Sequence, residues 1–358
     1  MSYLLAFLGI AALIILHELG HFTAAKAVGM RVERFSLFFG PMFLKRKIGE
    51  TEYGVGVIPL GGYVKITGMS PDEVYESPEI ERRGYYNQPV WKRIVVIGAG
   101  PLVNIAVAFL IFWVLWLGNG QAVVSNSVAG VIHPSAAASV LRPGDKILSV
   151  DGVRGGPDKL RAQIDSHRCR GPQVNGCHAQ TPVTMLVRRD GVLHTFRITP
   201  RYSAADRRQL VGFQFGTKSV PVGAGQAASL TVTGLWNVTT ETVSRIGRLF
   251  EPKERRQLHG IVGAYEETQK SISSSTTTAL EILALISLSL GVVNLFPFLP
   301  LDGGHIFWAI AEKLRGRRIP FVVMERAGFV GFALILVLFA IGLTNDISTL
   351  SGQGFNVP

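Results

Sequence analysis

The sequence predicts a multi-pass α-helical membrane protein: four transmembrane helices, a β-hairpin loop on the cytoplasmic face, and one extracytoplasmic α+β domain. Three observations predict it. The 358 residues are 47% hydrophobic and only 17% charged, with a mean hydropathy of +0.30, too apolar for an ordinary soluble chain. Four apolar runs, residues 4–28, 94–117, 279–299 and 321–343, reach the roughly 20 residues that a bilayer crossing takes. Between the second and third runs lies a long stretch of short strand-like segments punctuated by glycine turns. The net charge is +11, but the basic residues are scattered and no nucleic-acid-binding motif accompanies them. That argues against nucleic acid and for the bilayer, with its anionic headgroups, as partner.

The first run lacks a basic leader and continues to Val28 with histidine and glutamate inside it, so it reads as a retained helix rather than a cleaved signal. It contains His17-Glu18-Leu19-Gly20-His21. Histidines at i and i+4 share one helix face and can reach one ion. A glutamate directly after the first suits the base that works on a metal-held water. Ionisable groups are expensive in an apolar span, which favours a functional reading over a packed, hydrogen-bonded pair.

Short loops set the expected orientation. Lys45-Arg46-Lys47, Arg82-Arg83 and Lys92-Arg93 lie between spans one and two, and Lys313, Arg315, Arg317 and Arg318 between spans three and four. By the positive-inside rule both loops are cytoplasmic, and the termini and residues 118–278 lie outside. In the first loop, Val32 to Phe39 and Glu52 to Lys65 alternate strand-like residues with glycine turns and predict β-hairpins against the membrane face. Residues 70–90 read as a polar loop. The predicted divisions are 1–121, the first membrane part; 122–216, the outer domain; 217–278, a linker with an amphipathic stretch over 226–250; and 279–358, the second membrane part. The amphipathic stretch would lie on the outer surface or cover the bundle. Cys169 and Cys177 share one loop of the outer domain, where either a disulfide or two free thiols fits. In the fourth span, Glu325 and Arg326 would pair or sit at the interface.

Two histidines do not complete a catalytic zinc site, which takes three protein ligands. Asp302 is the candidate third, in the segment Asn294 to His305, where Pro297 and Pro300 cannot continue a helix. Spans one and three run in the same direction, and both motifs come late in their spans, so they meet near the cytoplasmic face. Glu281 sits at the wrong end, Glu312 lies beyond the bend, and His305 is placed behind the ligands as their support. Asn104 in span two is either an interhelical hydrogen bond or a group facing substrate.

Together, His17-Glu18-Leu19-Gly20-His21, the segment Asn294 to Gly303, Ile58 to Val64 and Gly100-Pro101-Leu102-Val103-Asn104 resemble the site-2 protease family of zinc proteases that cut within the membrane. The Pro143-Gly144-Asp145 turn, the strand after it and Val150-Asp151-Gly152 resemble a bacterial PDZ domain, a peptide dock, although a mere spacer domain is the alternative. The resemblance covers nearly the whole chain and is to a bacterial, actinobacterial-type member with one PDZ domain. It implies Zn2+ on His17, His21 and Asp302, Glu18 as the catalytic group, and Asn294 lining the site and helping to hold substrate. Pro297, Asn104 and the loop residues Gly56, Val57 and Ile58 are further substrate-binding candidates, the loop offering an edge strand to an unwound substrate. The implied substrates are single-pass membrane proteins already trimmed outside, such as anti-sigma factors, in the bacterial plasma membrane. A membrane-tethered protease of juxtamembrane segments or remnant signal peptides, a non-catalytic zinc or PDZ scaffold, and a metal transporter are the rival readings.

Overall fold

The structure is a computed structural model that describes residues 2–58, 61–69, 73–248 and 275–351. Pro59, Leu60, the start of the expected polar loop at 70–72 and the linker over 249–274 lie outside the described residues. The chain divides into two compact units, Met1–Leu115 with Ala224–Pro358, and Trp116–Gly223.

Among the described residues, the first unit has four helices long and apolar enough to cross a membrane: α1 (Ser2–Ala27), α3 (Val90–Asn119), α6 (Thr276–Asn294) and α8 (Phe321–Ser351). Between α1 and α3 come strands β1 (Val32–Ser36), β2 (Phe39–Ile48), β3 (Thr51–Ile58) and β4 (Tyr63–Ile66) and a short helix α2 (Pro78–Arg82). The last of these falls where a polar loop was expected; Ser77 caps it by accepting from the Ile80 amide, and Pro78 starts it.

The strands form one mixed sheet in the order β2-β3-β1-β4, not a set of hairpins. Only β2 and β3 pair as a hairpin; β1 runs parallel to β3 and antiparallel to β4. The physical reason is burial. Val32 and Ile66 are fully inside, packed with Ala25, Met30, Tyr85, Val96 and Ile97, so a core shared with α1 and α3 places β1 centrally.

Helix α6 stops at Asn294, earlier than the apolar run, because Pro297 offers no amide and its ring would clash with the carbonyl four residues back. An irregular turn follows, and α7 (Asp302–Arg315) starts at the aspartate. Helix α5 (Ala224–Gly247) packs Leu235 and Val238 on Ala108, Ala284 and Leu288, so it covers the bundle. Glu325 and Arg326 of α8 are exposed.

The second unit is a five-stranded antiparallel sheet, ordered β11-β5-β6-β7-β8, built from β5 (Gln121–Val131), β6 (Lys146–Val150), β7 (Val183–Arg189), β8 (Val192–Ile198) and β11 (Phe213–Val220). Helix α4 (Pro157–Asp165) closes its core with Leu160 and Ile164 against Ile147, Met185 and Val187. A small ribbon, β9 (Arg201–Ser203) with β10 (Arg208–Leu210), sits beside it. Asp190 and Gly191 both take positive φ in the turn joining β7 to β8, as a tight hairpin requires. Cys169 and Cys177 are bonded to each other.

Candidate metal centre

Helix α1 brings His17 and His21 to one face, and both are buried, at 7% exposure each. Two close approaches put that face against the rest of the unit. Gly20 lies where a methyl would meet the Ala99 carbonyl at 2.7 Å, and a methyl on Gly100 would intrude on the His21 ring itself. Small residues here are therefore what lets α1 and α3 touch. Gly303 and Gly304 do the same for the start of α7, which tucks beneath the backbone of residues 295–299.

The result is a convergence of three ligand atoms. Asp302 Oδ2 lies 3.1 Å from His17 Nε2 and 3.4 Å from His21 Nε2, and the two Nε2 atoms are 3.2 Å apart. Ligands at about 2.0–2.1 Å around a tetrahedral zinc stand about 3.3 Å from one another. The triangle has that size. Asp302 Oδ2 is buried without a hydrogen-bond partner, and two imidazole nitrogens face each other across van der Waals distance. A shared divalent cation satisfies all three atoms at once, so the residues present fit zinc. Among the described residues these three form the one cluster of histidine, cysteine, aspartate and glutamate with such convergence.

A cavity of about 570 Å³ opens on this triangle. Glu18, Asn294, Pro300 and His305 line it, as do Tyr63, Val64 and Ile66 of β4 and the Gly61-Gly62 turn. Gly62 is required, since a methyl there would press on the Glu18 side chain at 3.0 Å and on the Ser36 carbonyl at 2.8 Å. The Val64 amide faces the Glu18 carboxylate.

The other sequence candidates fall elsewhere. Gly56, Val57 and Ile58 do not line the cavity: β3 is an inner strand paired with β2 at Gly56 and Ile58. The strand at the site is β4, which ends the sheet. Pro297 lines a separate apolar groove between α3, α5 and α6. Asn104 is wholly buried, with Nδ2 3.3 Å from His17 Nδ1, behind the ligand rather than in the cavity.

Supporting contacts escaped sequence reasoning. His21 Nδ1 is held by the Val96 carbonyl at 2.9 Å. Arg93, buried in α3, grips Glu312 of α7 through two bonds of 2.8 and 3.0 Å, which fixes the helix that starts with Asp302. The only signal in the sequence was an arginine at the rim of an apolar span.

The sequence model of peptidase family M50 matches residues 5–338. Curated relatives include proteins carrying the name "Putative zinc metalloprotease" from Campylobacter jejuni, 30% identical over 98% of this chain and 95% of its own, and from Clostridium perfringens, 30% identical over 97% and 98%. One so named from Chlamydia pneumoniae is 43% identical, over 42% of this chain and 26% of its own.

Proposed function

The chain belongs to peptidase family M50, and on that premise we propose that it is an intramembrane zinc endopeptidase of the site-2 type. Membership and four apolar helices make it an integral membrane metalloprotease. The finer reading rests on one observation: the three ligand atoms and Glu18 share a cavity walled by apolar helices, with a strand edge beside it.

His17, His21 and Asp302 would hold the zinc. When bound, the ion supplies Lewis acidity, activating water and polarising a carbonyl. Glu18 lines the same cavity and serves as the base, then returns the proton to the leaving amine. Asn294, on the cavity wall, offers an amide to the substrate backbone. A substrate helix must unwind to expose a carbonyl, and β4, the end strand of the sheet, suits the extended form.

The second unit supports a PDZ-like role. Its terminal strand β11 has a free edge beside a groove of about 420 Å³, lined by Arg161 and Ile164 of α4 and by Val211, Phe213 and Phe215. An extended peptide adds there as a strand. Substrates are then single-pass proteins of the bacterial plasma membrane, trimmed on the outside, anti-sigma factors among them, with the site near the cytoplasmic face.

The test is cleavage of a panel of single-pass substrates by wild type and Glu18→Gln. Turnover should fall about 10²–10⁴-fold in the variant with zinc content intact; equal turnover would remove the mechanism. Shifting the scissile site from lipid depth into a loop separates this reading from a tethered protease, because only the latter would prefer the loop.

A further inference from the structure

We propose that Asn104 is a positioning residue for the metal: it accepts a hydrogen bond from His17 Nδ1 and thereby fixes the tautomer that presents Nε2 to zinc. The inference rests on the zinc reading above.

His17 aims Nε2 at the ligand triangle, 3.1 Å from Asp302 Oδ2. A neutral imidazole that gives one nitrogen to a metal carries its proton on the other, and that N–H needs an acceptor. His21 solves this with a backbone carbonyl, Val96 O at 2.9 Å from its Nδ1. Among the described residues, no carbonyl is bonded to His17. The group at its Nδ1 is the Asn104 side-chain amide, 3.3 Å away.

The amide is wholly enclosed, and its Oδ1 is orphaned while Nδ2 points at the ring. With the ring proton on Nδ1, two donors would oppose each other. A half-turn of the amide places Oδ1 against Nδ1–H and frees Nε2 for the metal, while Nδ2 takes the enclosed position that Oδ1 held. Both imidazoles are then held at Nδ1 by an acceptor on α3.

The neighbourhood keeps the amide in place. Ser287 Oγ of α6 donates to the main-chain carbonyl of Asn104 at 2.8 Å. Gly291 lets α6 close on this turn, since a methyl there would meet the Pro101 carbonyl at 2.9 Å and Asn104 Cβ at 3.4 Å. Asn104 thus sits at a three-helix junction where a substrate backbone has no room.

The experiment is zinc affinity, by competition with a chromophoric chelator, of the detergent-solubilised full chain carrying Asn104→Asp, Asn104→Leu or Ser287→Ala. Asn104→Leu removes the acceptor at similar volume and should weaken zinc by about 10–100-fold. Asn104→Asp keeps an acceptor and should retain or tighten it. Ser287→Ala loosens the same helix contact without touching the ring and should leave affinity within about twofold, set against the 10–100-fold loss. Equal affinity in Asn104→Leu and wild type would overturn the assignment, and so would equal loss in Asn104→Asp and Asn104→Leu, which would mark a donor or a packing role. Wild type that binds no zinc would instead defeat the underlying zinc reading, a result visible before any variant is made.

Discussion

At the scale of single residues, the centre depends on side chains that are absent as much as on those present. Gly100 makes room for the His21 ring, and a methyl there has nowhere to go because α3 and α1 are both buried at that level. Gly100→Ala should cost about 1–3 kcal/mol of stability by overpacking and lower zinc affinity by about tenfold or more through a displaced ligand. Thermal unfolding and chelator competition check the two effects. That His17 and His21 share one face was legible because i, i+4 spacing on a helix is a local geometry. Asn104 was legible only as an unusual residue. Its contact with His17 lies 87 positions away in sequence, and nothing local distinguishes a bond to a histidine from a bond to substrate.

At the scale of elements, two charge clusters hold the site's scaffold. Buried Arg93 of α3 and partly buried Glu312 of α7 form a pair, with the guanidinium 5.8 and 6.0 Å from the centres of the Tyr86 and Tyr85 rings. Removing one partner of such a pair leaves an uncompensated charge and costs about 3–5 kcal/mol. Glu312→Gln should approach the lower figure and also weaken zinc, since α7 carries Asp302; denaturation in mixed micelles reads the first effect and metal titration the second. Glu50, at the β2–β3 turn, is gripped by Arg83 through two bonds of 2.7 and 2.8 Å and by Lys26 at 2.7 Å. The Arg83 guanidinium, then Lys26, bring its carboxyl from 4.5 down to about 2. A depressed folded pKa contributes stability that is complete above the unfolded value and lost as pH falls through the folded one. The melting-temperature gap between wild type and Glu50→Gln should therefore be constant above pH 4.5 and shrink towards pH 2. A gap that instead widens on acidification contradicts the pairing. The helices themselves were legible from their apolar lengths. The sheet was not, because the parallel β1–β3 pairing and the non-local β1–β4 pairing depend on a core contributed by α1 and α3.

At the scale of the whole molecule, each unit has its own core, and the second has a covalent clasp. The disulfide closes a short loop in the second unit, where the Gln209 amide bonds Cys169 Sγ at 3.3 Å and Gln173 at 3.0 Å. Closing a loop of that length contributes roughly 2.5 kcal/mol through the unfolded chain. On the proposed reading, zinc would bind only the folded first unit and so stabilise it by mass action. Calorimetry should accordingly show two transitions. A chelator should lower one and abolish turnover, and a reductant should lower the other. A single transition shifted by both reagents would show that the units unfold together.

What the chain announced unaided was whatever depends on neighbours in sequence: the apolar runs that must leave water, the paired histidines with their glutamate, and the prolines that interrupt the third run. What required the folded molecule was whatever depends on distance through space. The 3.1–3.4 Å triangle, the choice of β4 over β3 as the strand at the cavity, and the amide behind His17 all arise where helices far apart in sequence are pressed together. Side-chain period fixes which face a residue occupies, but only packing decides which other face it meets.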